Sequence, residues 1–270
     1  VESSCIIRHF EQYSQLSETD VALLRKLEDD PRQYRRGEII FSQGDRTRNF
    51  FTVNKGWVYA YRNLDDGSRQ VLDVYVPGDI VGLREFAFEQ RITGLIALED
   101  AQLCSFPKTQ LTDIFARSLM LSTILFTIAA KDQAVLLERL VNLGRRSARQ
   151  KLAHFLIETH IRLKRSGDHI GDPNHIPLTQ VLLADALGLS EVHVNRVIKE
   201  LKALNLIQSA GTGLRIADIE GLKEEGRFDG HYLASDINDM LERAREAQDK
   251  IDVEHAQVTG EVPVDSRASR

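Results

Sequence analysis

Sixteen residues, ALGLSEVHVNRVIKEL at 186–201, restrict what this chain can fold into more than any other stretch. A helix-forming run stops at Gly188, and a second begins at Ser190, a residue that caps helix starts well. Within the second run Val194, Val197, Ile198 and Leu201 recur at i, i+3, i+4 and i+7, which is one buried stripe. With Gln180 as the first position of a two-helix unit, Ala184 falls fifth, where two helices approach closely and a small side chain is needed. Gly188 falls ninth, at the turn, and Leu183, Leu187, Leu189, Val194 and Val197 fall at inward positions. LIQSAGTGLRIAD follows as a strand–turn–strand hairpin, so the pattern predicts a winged helix–turn–helix. No neighbouring segment covers the opposite side of the second helix.

Such a motif lays that uncovered side in a DNA major groove. Arg196 suits bidentate contact with guanine, Asn195 can read adenine, Glu191 can accept from cytosine and Val192 can touch a thymine methyl. His193 can bond a base or a phosphate, or cover the helix end. Thr179, Gln180 and Ser190 sit at helix starts, where backbone N–H groups favour phosphate. Lys199, Lys202, Ser209, Thr212 and Arg215 are candidates for the DNA backbone, the competing reading of each lysine being a solvated helix face.

A formal net charge of −5 would argue against a polyanionic partner. The charge is unevenly spread, however: residues 143–216 carry 11 basic and 6 acidic side chains, a local +5, between two acidic segments. Local charge decides phosphate attraction, because screening limits reach to about 10 Å.

Upstream, Ser17 precedes ETDVALLRKLEDD and predicts a capped amphipathic helix. From Tyr34 to Pro107 short runs such as EIIF, NFFTV, WVYAYR and RQVLDVYV alternate with turn punctuation, which predicts a sandwich or small barrel. Phe50, Phe51, Trp57, Tyr59, Tyr61 and Tyr75 should fill or face it. Residues 119–143 form a long apolar helix with two stripes, Leu121, Ile124, Ile128, Val135 and Leu125, Ala129, Leu136, Leu140, Leu143. Two apolar faces imply two packing partners, the chain's own barrel and a symmetry mate, and the first stripe is assigned to the mate.

The expected fold is therefore α+β. Residues 1–118 form a barrel domain (a double-stranded β-helix, or jelly roll), 119–143 a dimerisation helix and 144–218 a winged helix–turn–helix. Residues 219–270 form an acidic extension, helical to about residue 250 and then disordered. Two cysteines, Cys5 and Cys104, supply neither a disulfide framework nor a four-thiolate cluster. The start, VESSCIIRHFEQ, lacks a secretory h-region, and no apolar run reads as the roughly 18 to 20 residues of a membrane span, so a reduced, cytoplasmic protein is expected.

The order of barrel, long helix and winged motif resembles the Crp/Fnr family of bacterial regulators over about residues 10–218. The most specific stretches are GEIIFSQGD, KGWVYAY, DDGSRQVLDVYVPGDIVG and PLTQVLLADALGLSEVHVNRVIKEL. The resemblance implies a cyclic-nucleotide-binding-like barrel, a homodimer on two-fold symmetric promoter sites with half-sites about 34 Å apart, and contact with RNA polymerase. Family members that bind cyclic nucleotides carry a Gly-Glu pair and an Arg-Ser/Thr-Ala group. Here Leu83 stands at the glutamate position and RIT follows at Arg91, which excludes a ribose hydrogen bond. The iron–sulfur branch needs an N-terminal cysteine cluster that this chain lacks. Both cyclic AMP receptors and fumarate–nitrate regulators place a glutamate where Val192 stands, so the half-site should differ from theirs. No cofactor or metal is expected.

An enzyme is not expected, and two alternatives stay open, an interaction module and a ligand-gated regulator. A metal-dependent cupin enzyme would need barrel histidines, and none of the eight falls between residues 31 and 107. A loop cluster of Asp168, His169, Asp172 and His175 reads first as a solvated loop and only second as a metal site. A ligand-gated protein-interaction module would leave the wing and the basic segment unexplained. Finally, a small ligand beside Arg84, Glu85 and Arg91 in the barrel could gate DNA binding.

Overall fold

The computed structural model describes residues 4–165, 172–234 and 237–259. Two short helices, α1 (Cys5–Glu11) and α2 (Glu18–Arg25), precede the barrel. At the predicted cap, Ser17 and Asp20 exchange hydrogen bonds with each other's backbone N–H at 3.1 and 3.0 Å. Eight strands follow: β1 (Pro31–Tyr34), β2 (Ile39–Phe41), β3 (Asn49–Lys55), β4 (Val58–Asn63), β5 (Arg69–Tyr75), β6 (Ile80–Val81), β7 (Gly94–Ala97) and β8 (Ala101–Pro107). They form two antiparallel sheets, in the orders β1-β8-β3-β6 and β2-β7-β4-β5, whose facing sides make a jelly roll. Gly82 shows why the turns need glycine, because its φ is +112° and a Cβ there would lie 2.4 Å from the Phe50 ring.

After the barrel come α3 (Lys108–Arg117), α4 (Leu119–Arg145) and α5 (Ala148–Arg165). The winged motif comprises β9 (His175–Ile176), α6 (Gln180–Leu187), α7 (Glu191–Ala203), β10 (Ile207–Ala210) and β11 (Gly213–Ile216), its sheet ordered β10-β11-β9. The extension folds as α8 (Ile219–Gly226) and α9 (Asn238–Thr259). Helix thus continues nine residues past the predicted end; residues 260–270, expected to be disordered, lie outside the described residues.

The expected aromatic filling of the barrel is divided among three cores. Phe51 and Tyr75 lie inside the jelly roll with Val58, Leu95 and Leu103. Phe50 faces outward into a core with α1, α3 and α4. Trp57, Tyr59 and Tyr61 lie on the outer face of the second sheet, in one continuous core with the winged domain's Leu156, Leu183 and Val197. Arg69 of β5 grips Asp185 of α6 with two nitrogens, at 2.9 and 2.7 Å, and Gln70 donates to the Ala186 carbonyl at 3.2 Å. The barrel and the winged motif are therefore docked together, which local sequence periodicity does not show.

The long helix corrects one expectation. Leu121 and Ile124 are 0% exposed and Val135 5%, while Ile128 is half-buried against the same core, so this stripe belongs to the protomer's interior rather than to a mate. Near the opposite side, Phe126, Leu137, Leu140 and Val141 are 73, 59, 67 and 48% exposed. Phe126 and Leu140 fall at one position of a seven-residue repeat (119, 126, 133, 140) and Leu137 at the other (123, 130, 137, 144), a spacing of 3.5. By length and composition α4 could also cross a bilayer, contrary to the reading that no apolar run is long enough; its barrel-facing stripe is spent instead on the protein's own core.

A buried carboxylate fastens the units together. Asp73 of β5 is 1% exposed and receives Arg139 of α4 and Arg162 of α5, each at 2.9 Å, together with Arg84. Burial alone would raise its pKa, but the charges of Arg139, Arg162 and Arg84 hold it well below the usual carboxylate range. Asp79 and Asp132 are looser partners, each 3.5 Å from an arginine, and burial pushes both up to about 6 against the pull of Arg162 and Arg84 respectively.

A raised carboxyl retains its proton in the folded state where the unfolded chain has lost it, so its contribution to stability falls as pH rises from about 4 to about 6. His9, lowered to about 4 by burial and then by the Lys131 and Arg162 charges, contributes with the opposite sign. Replacement of Asp79 isolates one contribution. Between pH 5 and pH 7.5 the stability of Asp79→Asn should rise relative to wild type by about 1 kcal/mol, measured by urea unfolding at each pH. A constant difference would mean that this carboxyl does not titrate in that window.

Candidate nucleic-acid interface

The two-helix motif is built from its caps inward. Thr179 accepts from the Leu182 N–H at 3.3 Å to start α6, and Gly188 ends it at φ +60° with its N–H on the Ala184 carbonyl. Ser190 then accepts from the His193 N–H at 3.2 Å and starts α7. Ala184 is buried where the helices meet, and Val194, Val197, Ile198 and Leu201 close the core beneath α7. Burial of that stripe turns the other side out: Val192 is 82% exposed, and Glu191, Arg196 and Lys199 are exposed beside it.

Gln180, Glu191, Val192, Asn195, Arg196 and Lys199 line one open groove. The Asn195 amide donates to Gln180 Oε1 at 2.9 Å, a bond that fixes its orientation across the two helices and must be shared or exchanged when the amide meets a base. His193 is half-buried at the edge of this face. On the wing side, Lys202 bonds the Ser209 hydroxyl at 2.5 Å, Thr212 sits exposed in the hairpin turn and Arg215 pairs with Asp172. Asp168 and His169 of the suggested loop cluster lie outside the described residues; His175 bonds the Ala210 carbonyl at 3.1 Å, and among the described residues no group of metal-binding side chains assembles.

At the suggested barrel pocket the charged side chains are engaged with one another. Glu85 and Arg91, 2 and 4% exposed, pair at 2.6 Å. The other Glu85 oxygen accepts from the Ile92 and Thr93 N–H groups and the Thr93 hydroxyl at 2.9–3.1 Å. Arg91 stacks 4.1 Å over the Phe41 ring and donates to the Asn49 carbonyl, and Arg84 is turned away to Asp73 and Asp132. The charged groups of all three are engaged within the protein, and Arg91 also lines an open groove of about 580 Å³ with Gln43, Arg62 and Gln90. A cavity of about 440 Å³ lies elsewhere, where Asp79, Ile128, Asp132, Val135 and Arg162 meet.

Comparison with known proteins agrees with this arrangement. Residues 31–118 match the cyclic nucleotide-binding domain, and residues 150–225 match the Crp-like helix-turn-helix domain. The nitrogen fixation regulation protein FixK of Bradyrhizobium diazoefficiens is 29% identical over 224 residues, covering 80% of this chain and 90% of that protein. The protein of the same name from Rhizobium meliloti is 30% identical over 174 residues, covering 64% of this chain and 76% of its own length. Among solved structures, FixK2 from Bradyrhizobium japonicum superimposes with a TM-score of 0.63 at 22% identity, covering 72% of this chain and 96% of that one. With the jelly roll, the long helix and the winged motif in the same order as in these relatives, the chain belongs to the Crp/Fnr family of DNA-binding transcriptional regulators.

Proposed function

We propose that the protein acts as a homodimer, reading a two-fold symmetric promoter site with one α7 helix in each of two successive major grooves, and that it does so without cyclic AMP or an iron–sulfur cluster. The observation that carries this reading is the outward face of α7, where a base-reading centre with Val192 82% exposed stands between phosphate-binding candidates. Support for the second copy comes from the exposed seven-residue repeat on α4. Support for effector independence comes from the Glu85–Arg91 pair, in which the charges that a barrel ligand would need are already engaged with each other. Contact with RNA polymerase is carried over from the family resemblance. A second reading, control by a small ligand, is favoured by the cavity between the barrel, α4 and α5 rather than by the barrel interior.

Selection from random duplex DNA with purified, ligand-free protein tests the proposal. Recovery of an inverted repeat with half-site centres one helical turn apart is the expected result. Recovery of nothing by folded dimer at low salt would refute effector independence. Val192→Glu should then change the preferred base at one position of each half-site, because glutamate accepts from a cytosine amine and valine cannot. Unchanged preference in a second selection would remove residue 192 from the reading face.

A further inference from the structure

The C-terminal helix α9 lies beyond the family match, which ends at residue 225, and it packs along α4 rather than hanging free. Leu241 and Ala244 are buried, with Leu241 in the core that holds Leu121 and Ile124. Gln248 accepts from the Leu119 N–H at 2.9 Å, at the first position of the exposed repeat. Arg245 donates to Ser14 at 2.9 Å, which faces that flank of α9 toward the barrel side. The two helices run antiparallel: Gln248 meets the start of α4 at Leu119, while Leu233 and Ala234, just before α9, line a cavity with Ile128 and Val135 farther along α4.

At about 100° per residue, Met240, Ala247 and Ile251 lie within about 40° of one another and 120° or more round the helix from Arg245. They face away from the flank that Arg245 turns to Ser14. Met240 is 55% exposed and Ile251 46%, apolar side chains at the edge of an apolar seam. The exposed apolar side chains of α4 alone offer a partner roughly 500 Å², short of the about 800 Å² per protomer that a stable interface buries. Met240 and Ile251 offer the further exposed apolar area that such an interface needs.

Resting on the dimer reading above, we infer that α9 is part of the dimer interface: a second copy of this chain seats its α4 in the groove between α4 and the Met240–Ile251 stripe, giving a four-helix contact. A two-helix contact would leave α9 uninvolved.

Sedimentation equilibrium of three full-length variants tests this, with circular dichroism as the check on folding. Met240 and Ile251 project from the protomer, so the double variant Met240→Asp/Ile251→Asp should retain its helix content and dimerise at least tenfold more weakly. Leu137→Asp, on the α4 repeat, should be monomeric, and Asp239→Asn, one residue from the stripe, should dimerise like wild type. If Leu137→Asp is monomeric and the double variant dimerises like wild type, the α9 contact is refuted while the α4 dimer stands. If Leu137→Asp still dimerises, the α4 dimer falls, and the α9 proposal with it.

Discussion

Asp73→Ala should leave a protein that barely folds. Its carboxylate receives three guanidinium groups brought from the barrel, α4 and α5, and at 1% exposure little water can replace it. Breaking a buried ion pair by removing one partner costs about 3–5 kcal/mol, against a total stability of about 5–15 kcal/mol for a typical domain. Asp73→Asn retains an acceptor but not the charge and should fall between. Asp65→Ala, on the exposed tip of the β4–β5 hairpin, is the control and should be neutral. Urea unfolding of the four proteins decides the matter. If Asp73→Ala loses no more than Asp65→Ala, the three arginines are satisfied by other groups and Asp73 does not fasten the domains.

Arg196→Ala should sharply reduce discrimination between the selected site and a scrambled duplex while leaving the fold intact. The side chain is exposed, so its removal opens no cavity. A bidentate arginine–guanine pair contributes about 1–3 kcal/mol of discrimination, and a dimer uses it twice, so roughly 2–6 kcal/mol is lost in all. Lys199→Ala should behave differently, lowering affinity for both duplexes alike and flattening the salt dependence, as expected of a phosphate contact. Fluorescence anisotropy at two salt concentrations separates the two. Equal loss on both duplexes for Arg196→Ala would reassign it to the DNA backbone.

Local pattern carried the winged motif because each of its parts is local. The caps Thr179 and Ser190, the turn Gly188 and the stripe Val194–Leu201 lie within about two dozen residues, and each has its own steric or hydrogen-bonding reason. The long helix was legible as a helix with two apolar faces but not as to which face met what. Both stripes satisfy helical spacing, and only the barrel, built from distant strands, decides that Leu121 and Ile124 go inward. The repeat through Leu119, Phe126 and Leu140 was open to counting in sevens, although polar Gln133 interrupts it. The pairing of Glu85 with Arg91 was hidden for another reason: the two are six residues apart, and residue type alone does not distinguish a charge awaiting a ligand from one satisfied by its neighbour. The Arg69–Asp185 grip spans 116 residues and leaves no periodic trace.

Only Arg146 and Ser147 separate α4 from α5, and both are occupied. Arg146 pairs with Glu138 at 2.5 Å, while Ser147 and Gln150 cap α5 reciprocally at 3.0 and 3.3 Å. With Arg139 of α4 also held by Glu158 of α5, the joint has little freedom to twist. In the proposed dimer the distance and rotation between the two α7 helices are then set by stiff levers, much as a caliper is set by its arms. One base pair inserted between half-sites turns the second groove by about 35°, which such a frame cannot follow without unlocking the domains. In that dimer, operator spacing would be written into the elbow between two helices.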